Sequence, residues 1–257
     1  MIKRIEKLFQ TQKQYQLFLL LSLSTLFCFA LVGFRWYYVD YNPRQLSSIR
    51  LMASHRGIPS FLFLVWNLFL AWVPYWIALL LKKLDRETTP SYIKFALLSS
   101  WLVFFPNAPY ILTDLLHLKN RYPVPHWYDL MLIASFAWTG LMLGFASLSI
   151  VHNYLHRRLR SWQAWLLTVA AIFLCGFGVF LGRFQRWNTW DILTNPSALF
   201  DDLANILLHP ESFGRTLGLA VVLSVFLLLG YLTLLVLGKN ERSEHYETRS
   251  VDHRKIY

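Results

Sequence analysis

Six stretches of nearly uninterrupted apolar residues divide the chain, at roughly 17–38, 58–81, 93–113, 130–151, 162–182 and 215–238. Each is long enough to cross the hydrocarbon layer as a helix, which takes about 20 residues. Charged residues gather between them, so the pattern predicts six transmembrane helices joined by short loops. Helices are expected because lipid offers backbone N–H and C=O groups no outside partner. A β-barrel needs alternating strands, and runs such as Leu217–Leu229 do not alternate. The predicted fold class is all-α and polytopic: a basic N-terminus over 1–16, a six-helix transmembrane domain over 17–238, and a tail over 239–257. The tail mixes acids with bases and lacks apolar periodicity, which predicts flexibility.

Interruptions within the runs carry further information. In the third run Pro106 and Pro109 remove two backbone donors and clash with the preceding turn. The helix is expected to kink or unwind there, and Asn107 can donate to a freed carbonyl. Asn67 and Pro74 predict a second kink and one interhelical hydrogen bond in the second run. Residues 195–209 read as a short amphipathic helix before the last span, with Asn195 as N-cap, Pro196 in its first turn and a stripe of Leu199, Leu203, Ile206 and Leu207. Such a helix is expected to lie in the interface as a lid or collar. Three G-x-x-x-G pairs, Gly140/Gly144, Gly178/Gly182 and Gly214/Gly218, read as sites of close helix approach.

Composition narrows the class and charge orients it. Of 257 residues 56% are apolar and 15% charged, against about 25% charged in a soluble domain. Mean hydropathy is +0.39 although the net charge is +11. For the chain as a whole this combination argues against an ordinary soluble core and against disorder. No basic fold with interleaved aromatics supports a nucleic-acid role. Sixteen of the 25 Lys and Arg residues fall on one side of the six-span arrangement: in the N-terminus, near 82–94, in 157–160 and in the tail. Basic residues concentrate on the cytoplasmic side, so both termini are expected in the cytoplasm of a cell with this protein in its plasma or inner membrane. The basic clusters are also expected to touch anionic lipid. The first run is too long for a signal-peptide core and lacks a small-residue cleavage site, so it reads as an uncleaved anchor. Cys28 and Cys175 lie inside apolar runs, outside any C-x-x-C pair, and read as small buried hydrophobes.

The candidate chemistry collects at the other, non-cytoplasmic end. Asp114 and His117 follow the broken third run three residues apart, and His126 and Asp129 open the fourth with the order reversed. These carboxylates and imidazoles are expected near one another, where Asp114, His117 and Asp129 can act as acid and base or help hold a divalent metal. The fifth run ends Gly182-Arg183-Phe-Gln-Arg186-Trp-Asn-Thr-Trp-Asp191. Guanidinium forks suit phosphate and carboxylate. Arg183 and Arg186, with Asn107, His126 and Asp191, are the candidate ligand-binding residues. The same arginines can instead form salt bridges with Asp114, Asp129 or Asp191. No P-loop, HExxH, GxSxG or Cys-rich metal motif is present, and no cofactor is implied.

The strings Phe105-Pro-Asn-Ala-Pro-Tyr-Ile-Leu-Thr-Asp-Leu-Leu-His-Leu, Trp127-Tyr-Asp, Phe136-Ala-Trp-Thr-Gly and Gly182-Arg-Phe-Gln-Arg-Trp-Asn-Thr-Trp-Asp resemble a bacterial integral-membrane family catalogued as domain of unknown function 1361. The resemblance spans roughly residues 60–238. It implies a multi-span bacterial membrane protein and carries no activity or catalytic residue to transfer. The residues themselves point first to binding, with or without processing, of a lipid-linked or anionic envelope molecule at the outer face. A small transporter or permease component using the broken span as a gate, and a non-catalytic membrane scaffold, are the rival expectations.

Overall fold

The computed structural model describes residues 12–40, 61–85, 87–118, 124–187 and 220–238, with scattered positions between 189 and 218. The basic N-terminus up to residue 11 and the tail over 239–257 lie outside the described residues. So do the four apolar positions of the amphipathic stripe. The described residues of 196–204 are helical and begin after Asn195, as the capping pattern predicts.

The elements are α1 (Gln12–Asp40), α2 (Leu62–Leu84), α3 (Ser91–Phe104), α4 (Asn107–Tyr110), a 3₁₀ segment (Ile111–His117), α5 (His126–His156), α6 (Ser161–Phe180), a π-turn (Leu181–Gln185), α7 (Asp191–Thr194) and α8 (Ala220–Gly238). No strand occurs among the described residues. Six helical stretches are long and apolar enough to cross a membrane, and the third of them runs from α3 through α4 to Leu116. The chain is an all-α, multi-pass membrane protein.

The third span breaks where the prolines stand. α3 stops at Phe104, a turn takes in Phe105 and Pro106, and α4 adds a single helical turn before the backbone tightens to 3₁₀. Asn107 caps the break: its Nδ2 donates to the Phe104 carbonyl at 2.9 Å. By contrast α2 runs continuously through the buried Pro74.

Two glycine pairs seat the broken segment. A Cβ at Gly140 would lie 2.6 Å from the Ala108 carbonyl oxygen, and one at Gly144 would lie 3.2 Å from the Ala108 Cβ. On the other side, a Cβ at Gly178 would come within 2.7 Å of Pro106, and one at Gly182 within 3.2 Å of the Tyr110 ring. The segment 105–110 is thus held between α5 and α6 at backbone distance. The third pair differs from expectation. A Cβ at Gly214 or Gly218 would meet nothing within 4 Å, so these glycines mark no close approach to the described residues.

α5 is the central helix, packing against α1, α2, the 3₁₀ segment and α6. Its sequence is buried on nearly every side between Leu132 and Leu148. One core gathers α1, α2 and α5 around Leu64, Leu68 and Phe136; the other gathers α3, α5, α6 and α8 around Phe105, Ile172 and Leu227. Polar side chains stitch these faces. Ser24 and Thr139 share a hydrogen bond of 2.6 Å between α1 and α5, and Trp101 Nε1 donates to Ser147 Oγ at 3.3 Å.

The bundle has two chemically different ends. At the first, Asp85 follows α2 and meets Arg157 at 3.4 Å, Lys94 at 3.7 Å, and Arg158. Hydrogen bonding to Asp85 raises the Arg158 guanidinium above its ordinary value, so it stays charged at any working pH. At the opposite end two buried acids, Asp114 and Asp129, pair with Arg183 and Arg35.

Candidate functional site

The 3₁₀ segment supplies the centre of the site. Its three-residue turn stacks positions 111, 114 and 117 along one edge and 110 and 113 along the next. Asp114 is thereby carried inward, with only 2% of its side chain exposed. Its Oδ1 accepts from an Arg183 terminal nitrogen at 2.9 Å, and its Oδ2 accepts from Asn67 Nδ2 at 3.0 Å. The interhelical bond expected of Asn67 is therefore made to the buried carboxylate. A charge taken out of water needs such partners.

Arg183 reaches this position because α6 does not end as an α-helix. Leu181–Gln185 form a π-turn, a rare widening often found at functional positions. Gly182 lets the Tyr110 ring approach beside it. The Arg183 guanidinium lies over that ring at 5.3 Å, donates to the Tyr110 hydroxyl at 3.4 Å, and donates to the Thr113 carbonyl. Thr113 in turn donates to the Tyr110 carbonyl at 2.6 Å. Arg183 Nε, buried, has no hydrogen-bond partner among the described residues. A buried donor left open in this way is uncommon.

Beyond the π-turn, Arg186 takes a left-handed backbone (φ 61°) and is exposed. It forms no hydrogen bond or ion pair with the described residues. A left-handed conformation at a non-glycine residue costs of order 1 kcal/mol or more. The chain then crosses the broken span: Asn107 Nδ2 donates to Thr189 Oγ1 at 3.1 Å, and Trp187 Nε1 donates to Asp202 Oδ2 at 3.0 Å.

Asp129 makes a different pair. It accepts from Arg35 Nε at 2.7 Å and from an Arg35 terminal nitrogen at 3.2 Å, with the two side chains 2% and 5% exposed. Arg35 also lies over the Phe61 ring at 4.4 Å, and Phe61 is the other non-glycine residue with a left-handed backbone among those described (φ 82°). Of the salt bridges open to the arginines of the fifth span, the one between Arg183 and Asp114 forms, while Asp129 pairs with Arg35. α5 turns Asp129 toward α1, whereas the 3₁₀ segment turns Asp114 toward α2 and α6.

The remaining candidates are placed as follows. Position 117 stands one 3₁₀ turn beyond Asp114, and its side chain lies outside the described residues. His126 is the exposed first residue of α5, and Asp191 begins α7 half-buried. Among the described residues no three His, Cys, Asp or Glu side chains gather as a metal site would need. Sequence reasoning missed Arg35 as the partner of Asp129, and Tyr110 and Thr113 as partners of Arg183. An arginine inside the last turns of the first span was the available signal for Arg35.

Neither the curated proteins nor the solved structures hold a match to the chain. The model of a family described as protein of unknown function (DUF1361) matches residues 66–232, from α2 into α8, and the chain belongs to that family.

Proposed function

We propose that the protein binds an anionic, lipid-borne molecule at the Asp114 end of the bundle, on the non-cytoplasmic face of a bacterial plasma or inner membrane. The observation that carries this reading is the buried Arg183 Nε, without a hydrogen-bond partner among the described residues, three positions before the exposed Arg186, which forms no hydrogen bond or ion pair with those residues. Arg186 draws the anion to the rim, and Arg183 Nε completes its coordination. A phosphate or carboxylate suits paired guanidinium groups better than any neutral ligand does. Asp114, Asn67 and Tyr110 hold Arg183 in place, and Asn107 anchors the covering segment through Thr189. The excess of basic residues at the Asp85 end supports the orientation.

The geometry favours binding over proton transfer. Both oxygens of Asp114 and both of Asp129 are occupied by nitrogen donors. Either carboxylate, with or without His117, can act as acid or base only after one of those donors leaves. The same complete pairing favours a scaffold as the second reading, with the two ion pairs fixing helix order and no ligand involved.

Native mass spectrometry of the detergent-extracted protein separates the two. Under the binding reading, an anionic lipid or lipid-linked precursor accompanies the wild type and its occupancy falls at least fivefold in Arg186→Ala. With bound lipid removed, the unfolding temperatures of the two proteins are expected to be equal, because Arg186 is exposed and forms no hydrogen bond or ion pair with the described residues. Identical occupancy in the two proteins rejects the reading and leaves the scaffold.

A further inference from the structure

The opposite end of the bundle holds a second anion site, and it does not depend on the reading above. We infer that Arg157 and Arg158, organised by Asp85, bind the phosphate of a phospholipid in the leaflet on that side.

Asp85 is a single carboxylate, 12% exposed, within 4 Å of three cations: Lys94, Arg157 and Arg158. Lys94 is as buried as Asp85, with 10% of its side chain exposed, and by itself balances the carboxylate. The two arginines are half-exposed, at 50% and 45%. They are a surplus of positive charge tied to a fixed point. Each reaches Asp85 through one terminal nitrogen only. A guanidinium carries five N–H donors, so most of each fork faces outward. The Arg158 guanidinium also rests over the Tyr154 ring at 5.3 Å, which fixes its direction. Lys82 is tied to Gln14, and the exposed Lys83 adds to the surplus. Glu87 is the other described acid in this loop, and it is exposed with no ion pair to the described residues. α3 begins nearby at Ser91 with no side-chain cap and no acid in its first turn, so the positive pole of its backbone is not neutralised there.

Two adjacent, pre-positioned guanidinium groups match the paired oxygens of a phosphate. The surroundings say that the phosphate belongs to a lipid. Arg157 and Arg158 stand in the loop between two helices long and apolar enough to cross a membrane, and the ends of such helices meet the headgroup layer. On the same loop and its continuation Leu159 is 37% exposed and Trp162 is 62% exposed. Tryptophan at this depth sits among headgroups and glycerol carbons. A free phosphate ion would gain nothing from these side chains.

The test uses the full chain in nanodiscs of phosphatidylcholine, with and without phosphatidylglycerol, and inorganic phosphate as a third arm. Wild type is expected to retain phosphatidylglycerol over phosphatidylcholine in native mass spectra and to unfold at a higher temperature in its presence. Arg157→Gln/Arg158→Gln is expected to lose at least fivefold in that retention, together with the temperature shift. Arg157→Lys/Arg158→Lys keeps the charge but not the forks and is expected to fall between. Unchanged retention in the double Gln variant overturns the inference. If that variant does not fold, Arg157→Gln alone is read, and retention equal to wild type overturns it equally. Protection by inorganic phosphate as strong as by phosphatidylglycerol overturns the lipid assignment.

Discussion

Asp114 and Arg183 stand 2.9 Å apart with almost no exposure, and a residue so placed is held by its partners rather than by water. Removing one partner from a buried ion pair costs about 3–5 kcal/mol, because the other charge is left uncompensated. Asp114→Asn keeps the shape and deletes the charge, so it is expected to lower stability by about that amount. Thermal unfolding in detergent measures it. Asp114→Asn/Arg183→Gln removes both charges and is expected to recover more than half the loss. A fully stable single variant would mean that the pair does not hold the fold. Spacing alone indicated that Asp114 is chemically unusual. It did not indicate that Asn67 and Arg183 would occupy both of its oxygens, because those partners come from 47 and 69 residues away.

At the scale of elements, the third span is the informative one. Pro106 and Pro109 made its break legible, since a missing N–H and a ring clash are local properties. The conformation beyond the break was less legible. A 3₁₀ segment rather than an α-helix follows, and its depth is set by what packs against it. Gly140 and Gly178 admit the segment from two sides. Gly140→Ala would push a methyl group to 2.6 Å from a backbone oxygen that has little room to move, and is expected to cost about 1–3 kcal/mol as overpacking. Gly33→Ala, where a Cβ meets nothing within 4 Å, serves as the control and is expected to be neutral or slightly stabilising, because alanine is the better helix former. Chemical denaturation of the two variants in the same detergent reads the difference. Gly214 and Gly218 show the limit of the motif: the same spacing occurs with none of the described residues packed against it.

For the whole molecule, the two ends differ in how charge is balanced. Among the described residues, Arg35 pairs with Asp129 and Arg183 with Asp114 at one end, while one carboxylate faces three cations at the other. The proposed orientation puts the surplus in the cytoplasm. It predicts that Arg186→Cys reacts with a membrane-impermeant maleimide on intact spheroplasts, whereas Arg158→Cys reacts only after lysis. Cys28 and Cys175 are fully buried and should contribute no background. Labelling of Arg158→Cys on intact spheroplasts and of Arg186→Cys only after lysis would reverse the assignment of both sites, and labelling of the two positions from the same side would refute the arrangement at opposite ends. The number of spans, the break in the third and the gathering of Asp and Arg at one end were all determined by the sequence, because transfer into lipid and the loss of a backbone donor are properties of single residues and short runs. Only the tertiary structure decided that Asp129 takes Arg35 and Asp114 takes Arg183. That choice depends on how each helix is rotated about its axis and which helix lies beside it, and hydropathy carries no record of either.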